Sequence, residues 1–98
     1  MTEHELTARI LGLAKDLGVL AHHCPTSVRC VGARGLPDLI LAGQHGVIFA
    51  ELKSAGGDTS AYQDDWLLTL VTAGVRVRVW RPADWHDGRI RRELETIA

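Results

Sequence analysis

From Gly35 the chain runs Leu36-Pro37-Asp38-Leu39-Ile40-Leu41-Ala42, turns through Gly43-Gln44-His45-Gly46 and continues Val47-Ile48-Phe49-Ala50-Glu51-Leu52-Lys53. Two apolar runs joined by a glycine-bounded connection read as a β-hairpin. Its charges set it apart: Asp38 opens the first strand, and Glu51 and Lys53 lie inside the second. Side chains alternate along a strand, so Glu51 and Lys53 project from one face. With Asp38 pairing across the hairpin nearby, two carboxylates and an ammonium converge, an arrangement suited to a divalent cation beside a phosphate. Burying a lone carboxylate on an apolar strand costs roughly several kcal/mol unless it is paired or metal-bound. A Glu51–Lys53 ion pair could satisfy both of its members without a metal, but it leaves Asp38 unexplained.

Asp38 is delivered at a fixed angle. Gly35 can take backbone angles closed to other residues, and Pro37 biases Leu36 to an extended conformation.

Before the hairpin, Thr2 to Gly18 reads as an amphipathic helix, with Leu6, Ile10, Leu13, Ala14 and Leu17 on one face and Gly18 placed to end it. Thr2-x-x-Glu5 is a capping box, which accounts for Glu5. At about 100° per residue Glu3 falls close to the axis of the apolar stripe and aims toward the hairpin side. Its other reading is a carboxylate that complements the positive end of the helix dipole.

Val19 to His23 reads as a short strand or an extended lead-out, and the segment to Arg34 as a loop. Its His22, His23, Cys24 and Cys30 have poor zinc spacing, and two cysteines are too few for a disulfide framework; in a reducing compartment they would stay thiols. Arg29 and Arg34 stand just before Asp38, where a basic loop could hold a phosphate backbone or simply be solvated.

After the hairpin, Ser54 to Ser60 is loop-like, and a second helix follows over about Ala61 to Thr72. Tyr62, Trp66, Leu67, Leu70 and Val71 make its apolar face, Trp66 being assigned to the core. Gln63 lies near the middle of that face, either closing a capping box with Ser60 or buried and in need of partners. Gly74 ends the helix, and Val75 to Arg81 alternates as a half-buried strand. Val75, Val77 and Val79 are expected inward; Arg76, Arg78 and Trp80 are expected on the opposite side, facing nucleic acid or a partner subunit, or, for Trp80, covered by the first helix. The tail carries Trp85 and a charged helix, Asp87 to Thr96, with no specific role.

The order helix, hairpin, helix, strand predicts an α/β fold, with a small mixed sheet flanked by helices. Ninety-eight residues, 46% hydrophobic and 23% charged, allow one domain over 1–98 with a single modest core. No run approaches membrane-spanning length and no signal pattern opens the chain, so a cytoplasmic setting with no membrane partner is expected. A formal charge of −1 is unusual for a nucleic-acid binder. Carboxylates gathered at a metal site count toward that sum while their cations do not.

Pro37-Asp38, twelve residues and then Glu51-x-Lys53 resembles the signature of the PD-(D/E)xK nuclease superfamily. Gly-Leu-Pro-Asp-Leu at 35–39, Phe-Ala-Glu-Leu-Lys at 49–53, Gln63 with Trp66, and Gly-Val-Arg-Val at 74–77 together resemble the VRR-NUC (virus-type replication-repair nuclease) family. The resemblance implies a restriction-endonuclease-like core and Mg²⁺- or Mn²⁺-dependent hydrolysis of DNA phosphodiesters. Asp38 and Glu51, with the Leu52 backbone carbonyl, would hold the metal, and an acidic residue of the first helix, best matched by Glu3, would join directly or through water. Lys53 would orient the attacking water or stabilise developing charge, and Gln63 would stand beside it. Stand-alone members, typical of phage and mobile elements, resemble homodimers acting on branched DNA such as four-way (Holliday) junctions; a phage-encoded protein would act in the host cytoplasm. Two other classes are compatible with the sequence: a non-catalytic DNA-binding module, and an accessory factor active only within a larger replication or repair complex.

Overall fold

The structure, a computed structural model, describes residues 1–24 and 34–98. Helix α1 (Glu3–Leu17) begins at the expected capping box: Thr2 Oγ1 accepts the Glu5 N–H at 3.1 Å, and the Glu5 carboxylate accepts the Thr2 N–H at 3.3 Å. Gly18, in the left-handed conformation at φ 73°, closes it. Leu6, Ile10, Leu13 and Ala14 are buried, as their spacing dictates.

The sheet follows chain order. β1 (Leu20–His23), β2 (Leu39–Gly43) and β3 (Gly46–Leu52) pair antiparallel; α2 (Ala61–Thr72) then crosses over to β4 (Arg76–Trp80), which lies parallel to β3. Two more helices follow, α3 (Pro82–His86) and α4 (Arg89–Ile97). This is the small mixed sheet flanked by helices that the sequence predicts.

Register divides the sheet into two unlike faces. Leu39, Leu41, Ile48, Ala50, Leu52 and Trp80 share one face and pack with α1 and α4 into the core. Ile40, Phe49, Glu51, Val77 and Val79 share the other, where α2 lies against β4.

Four expectations are corrected here. The core face of β4 is that of Trp80, 1% exposed, and the valines face α2. Alternation alone cannot say which side faces the core, and α4 decides it. That charged helix starts at Arg89, not Asp87, and supplies Ile90, Leu94 and Ile97 to the core. No residue of α2 is fully buried: Trp66, Leu67 and Leu70 are half-buried, while Tyr62 and Val71 are exposed. Cys24 is disulfide-bonded rather than a thiol, and Cys30 lies outside the described residues. Among the described residues no helix is long and apolar enough to cross a membrane.

Candidate active site

Asp38 leaves the chain just before β2, and glycine chemistry fixes its approach. Gly35 holds φ at +90°, and a Cβ placed there would stand 2.4 Å from the backbone carbonyl carbon of Tyr62. The segment leading to Asp38 can therefore press against the first turn of α2. Asp38 Oδ2 accepts the Leu52 N–H at 2.9 Å. In an extended strand the N–H and C=O of one residue point to the same side, so the Leu52 carbonyl also faces Asp38. The next N–H, that of Lys53, turns the other way, to the Trp80 carbonyl at 3.1 Å.

Glu51 leaves β3 on the face opposite Ala50 and Leu52, and it is only 2% exposed. Its Oε1 accepts a hydrogen bond from Gln63 Nε2 at 2.8 Å and lies 3.8 Å from Lys53 Nζ. Its Oε2 is buried with no hydrogen-bond partner among the described residues. Burial, followed by the hydrogen bond with and repulsion from the Asp38 carboxylate, pushes the Glu51 carboxyl up from 4.5 to about 8, with Lys53 opposing. Two adjoining carboxylates with one buried oxygen unpaired need a positive charge between them, supplied by a proton or by a cation.

The donors fit a hard cation. Among the described residues no group of three His, Cys, Asp or Glu side chains could hold an ion. Asp38, Glu51 and the Leu52 carbonyl are all oxygen donors, which suits Mg²⁺ or Mn²⁺; Mg²⁺ keeps several waters and takes one or two carboxylates. Glu3 is exposed on the first turn of α1 and lines a pocket of about 280 Å³ with His4, Thr7, His23, Cys24 and Asp38. It thus shares a cavity with Asp38 without joining a ligand cluster. His4 is an addition that sequence reasoning did not single out, and His23 is weighed there only as a zinc ligand. Only the pairing of His23 with Leu39 shows that β1 ends beside Asp38.

Gln63 plays both roles that its position suggested. Its Oε1 accepts the Ser60 N–H at 2.8 Å while its own N–H donates to Ser60 Oγ at 3.2 Å, closing the capping box. The amide nitrogen is left for Glu51, so Gln63 meets the carboxylate rather than Lys53.

The arginines divide. The Arg34 guanidinium lies 4.5 Å from the centre of the Tyr62 ring, and its carbonyl accepts the Trp66 indole N–H at 3.1 Å. Arg76 donates to Thr96 Oγ1 at 2.7 Å, and Arg78 pairs with Glu93 at 2.6 Å. Both are engaged by α4, because the face they share with Trp80 is the one that this helix covers. Arg29 lies outside the described residues.

No protein-family model and no curated protein matches the sequence. Among solved structures the chain is similar to one described as a VRR_NUC domain protein, with a TM-score of 0.70 and 21% identity over 98% of this chain and 90% of that one. The chain has that fold.

Proposed function

We propose that this chain is a divalent-metal-dependent nuclease that hydrolyses DNA phosphodiester bonds, with Asp38, Glu51 and Lys53 at its centre. The observation that carries the reading is Glu51: a buried carboxylate with an unpartnered oxygen, beside Asp38 and 3.8 Å from Lys53 Nζ. The fold of a VRR_NUC domain protein supports it.

Asp38, Glu51 and the Leu52 carbonyl would hold the cation, with Glu3 contributing through water from the edge of the shared pocket. Bound there, Mg²⁺ or Mn²⁺ supplies charge neutralisation, polarises the phosphate and lowers the pKa of a water. Lys53 orients that water or stabilises the negative charge that builds on the phosphate oxygens. Gln63 fixes Glu51 Oε1 and so leaves Oε2 for the cation. Arg34, exposed on the segment that leads to Asp38, would contact the phosphate backbone.

Recognition of backbone shape rather than base sequence would favour branched DNA such as four-way junctions. Homodimerisation fits symmetric cutting of two strands by two sites related by a two-fold axis. Exposed apolar side chains, Leu68 and Val71 on α2 and Leu20 and Val47 on the sheet, support an association surface.

The test is purified protein against linear duplex, single-stranded, flapped and four-way-junction DNA with Mg²⁺, Mn²⁺ or EDTA. The expected result is metal-dependent cleavage that favours branched DNA, reduced by about 100-fold or more in Lys53→Ala while the unfolding temperature is retained. Undiminished cleavage by Lys53→Ala sinks the assignment. DNA binding without cleavage of any substrate would favour a non-catalytic module instead.

A further inference from the structure

We infer that Arg81 is a positioning residue for Lys53, a clamp that fixes the loop through which Lys53 leaves the sheet. The inference rests on the nuclease reading of Lys53. Lys53 directly follows the last residue of β3, and the chain then enters residues 54–60, which hold no helix or strand. A lysine ammonium sits on a flexible four-carbon stem, so its place depends on how firmly its backbone and its stem are held. Both anchors come from two consecutive residues at the end of β4. Trp80 supplies the carbonyl that accepts the Lys53 N–H at 3.1 Å. Arg81 supplies Nη1, which donates to the Ser54 carbonyl at 2.8 Å and to the Gly57 carbonyl at 2.6 Å.

Those two carbonyls bracket a turn that is already closed by the Gly57 N–H donating to the Ser54 carbonyl at 3.3 Å. A Cβ on Gly57 would lie 3.8 Å from Lys53 Cδ, so the turn abuts the stem that carries the ammonium. The clamp is itself anchored, because the Arg81 N–H donates to the Asp84 carboxylate at 2.8 Å at the start of α3. The chain of contacts thus runs from α3 through Arg81 and the 54–57 turn to Lys53. Neither Asp38 nor Glu51 hydrogen-bonds to Arg81 or to the 54–57 turn, so the clamp reaches the carboxylates only through Lys53, whose Nζ lies 3.8 Å from Glu51 Oε1.

The experiment compares Arg81→Lys, Arg81→Gln and Arg81→Ala with wild type. Expected are a kcat reduced about 10- to 100-fold with KM for DNA and the half-saturating Mn²⁺ concentration unchanged, the size of loss a misplaced group brings. The Gly57 amide should exchange with solvent at least tenfold faster, and millimolar guanidinium should restore part of the activity of Arg81→Ala. Wild-type kcat in all three variants overturns the inference, as does a loss of kcat matched by weaker Mn²⁺ binding or an Arg81→Ala enzyme that guanidinium does not rescue. An inactive wild type sinks the nuclease reading by itself. In that case Gly57 exchange and the Lys53 Nζ resonance, read without DNA, still decide the clamp: both move in Arg81→Gln if it holds, and neither moves if it does not.

Discussion

Gln63 joins the cap of α2 to the buried carboxylate of Glu51: its amide oxygen accepts from Ser60 while its amide nitrogen donates to Glu51 Oε1 at 2.8 Å. A helix start and a candidate metal ligand are thus set by one planar group. Gln63→Glu separates the two functions. A glutamate keeps the capping box, yet it turns an acceptor oxygen toward Glu51. The variant should lose about 1–3 kcal/mol of stability in urea unfolding, the cost of an unsatisfied buried polar group. Gln63→Ala should lose in addition the cap, worth about 1 kcal/mol. Wild-type stability in Gln63→Glu would show that the Glu51 contact carries no energy.

Glu51 gives a pH dependence with a definite sign. Its carboxyl titrates near 8 in the folded protein against an ordinary value of 4.5. Below 4.5 both folded and unfolded chains hold the proton, and the stabilising contribution is complete. Between 4.5 and about 8 the folded state binds more protons, so stability falls as pH rises, and the contribution is gone above about 8. Glu51→Gln serves as the reference, so that the pH dependence of every other group cancels. In EDTA, wild-type stability should fall relative to Glu51→Gln by on the order of a few kcal/mol from pH 5 to 8.5. Saturating Mg²⁺, which replaces the proton, should flatten the difference. A flat difference in EDTA would show that the carboxyl is not perturbed.

Two glycines predict opposite outcomes for the same substitution. A Cβ on Gly43 would stand 1.9 Å from the Ile97 carbonyl oxygen, the atom that also accepts the His45 N–H at 2.9 Å. Gly43→Ala must push α4 off the hairpin turn and should cost about 1–3 kcal/mol. In a domain of this size that lowers the unfolding temperature by roughly 4–8 °C for each kcal/mol. Gly12 lies within α1 with nothing within 4 Å of its would-be Cβ. Gly12→Ala should stabilise by about 0.5–1 kcal/mol, since alanine loses less backbone freedom in a helix. Calorimetry of both variants checks the pair.

The candidate site was legible where local periodicity governs. Strand alternation puts Glu51 and Lys53 on one face, and helical phase puts Gln63 toward the sheet; both relations hold. The capping boxes at Thr2 and Ser60 were equally readable, since each spans four residues. What stayed hidden depends on contacts between distant segments. The core face of β4 is set by α4, whose Ile90, Leu94 and Ile97 stripe is diluted by five charged neighbours in Arg89–Ile97. The reach of Arg81 to Ser54 spans 27 positions along the chain, and no local pattern announces it.

Because the strands stand side by side in the order in which they occur in the chain, every pairing joins neighbours in sequence, and the entropy of loop closure, which grows only slowly with length, stays modest at each step. Asp38, Glu51, Lys53 and Gln63 all lie in one unbroken stretch from the start of β2 to the first turn of α2. Their geometry can therefore form early, as a local event, whereas the core face waits for α4 to return across the sheet. The candidate site is thus kinetically separable from the core beneath it: substitutions at α4 contacts should change the unfolding rate more than the rate at which the hairpin and Gln63 come together.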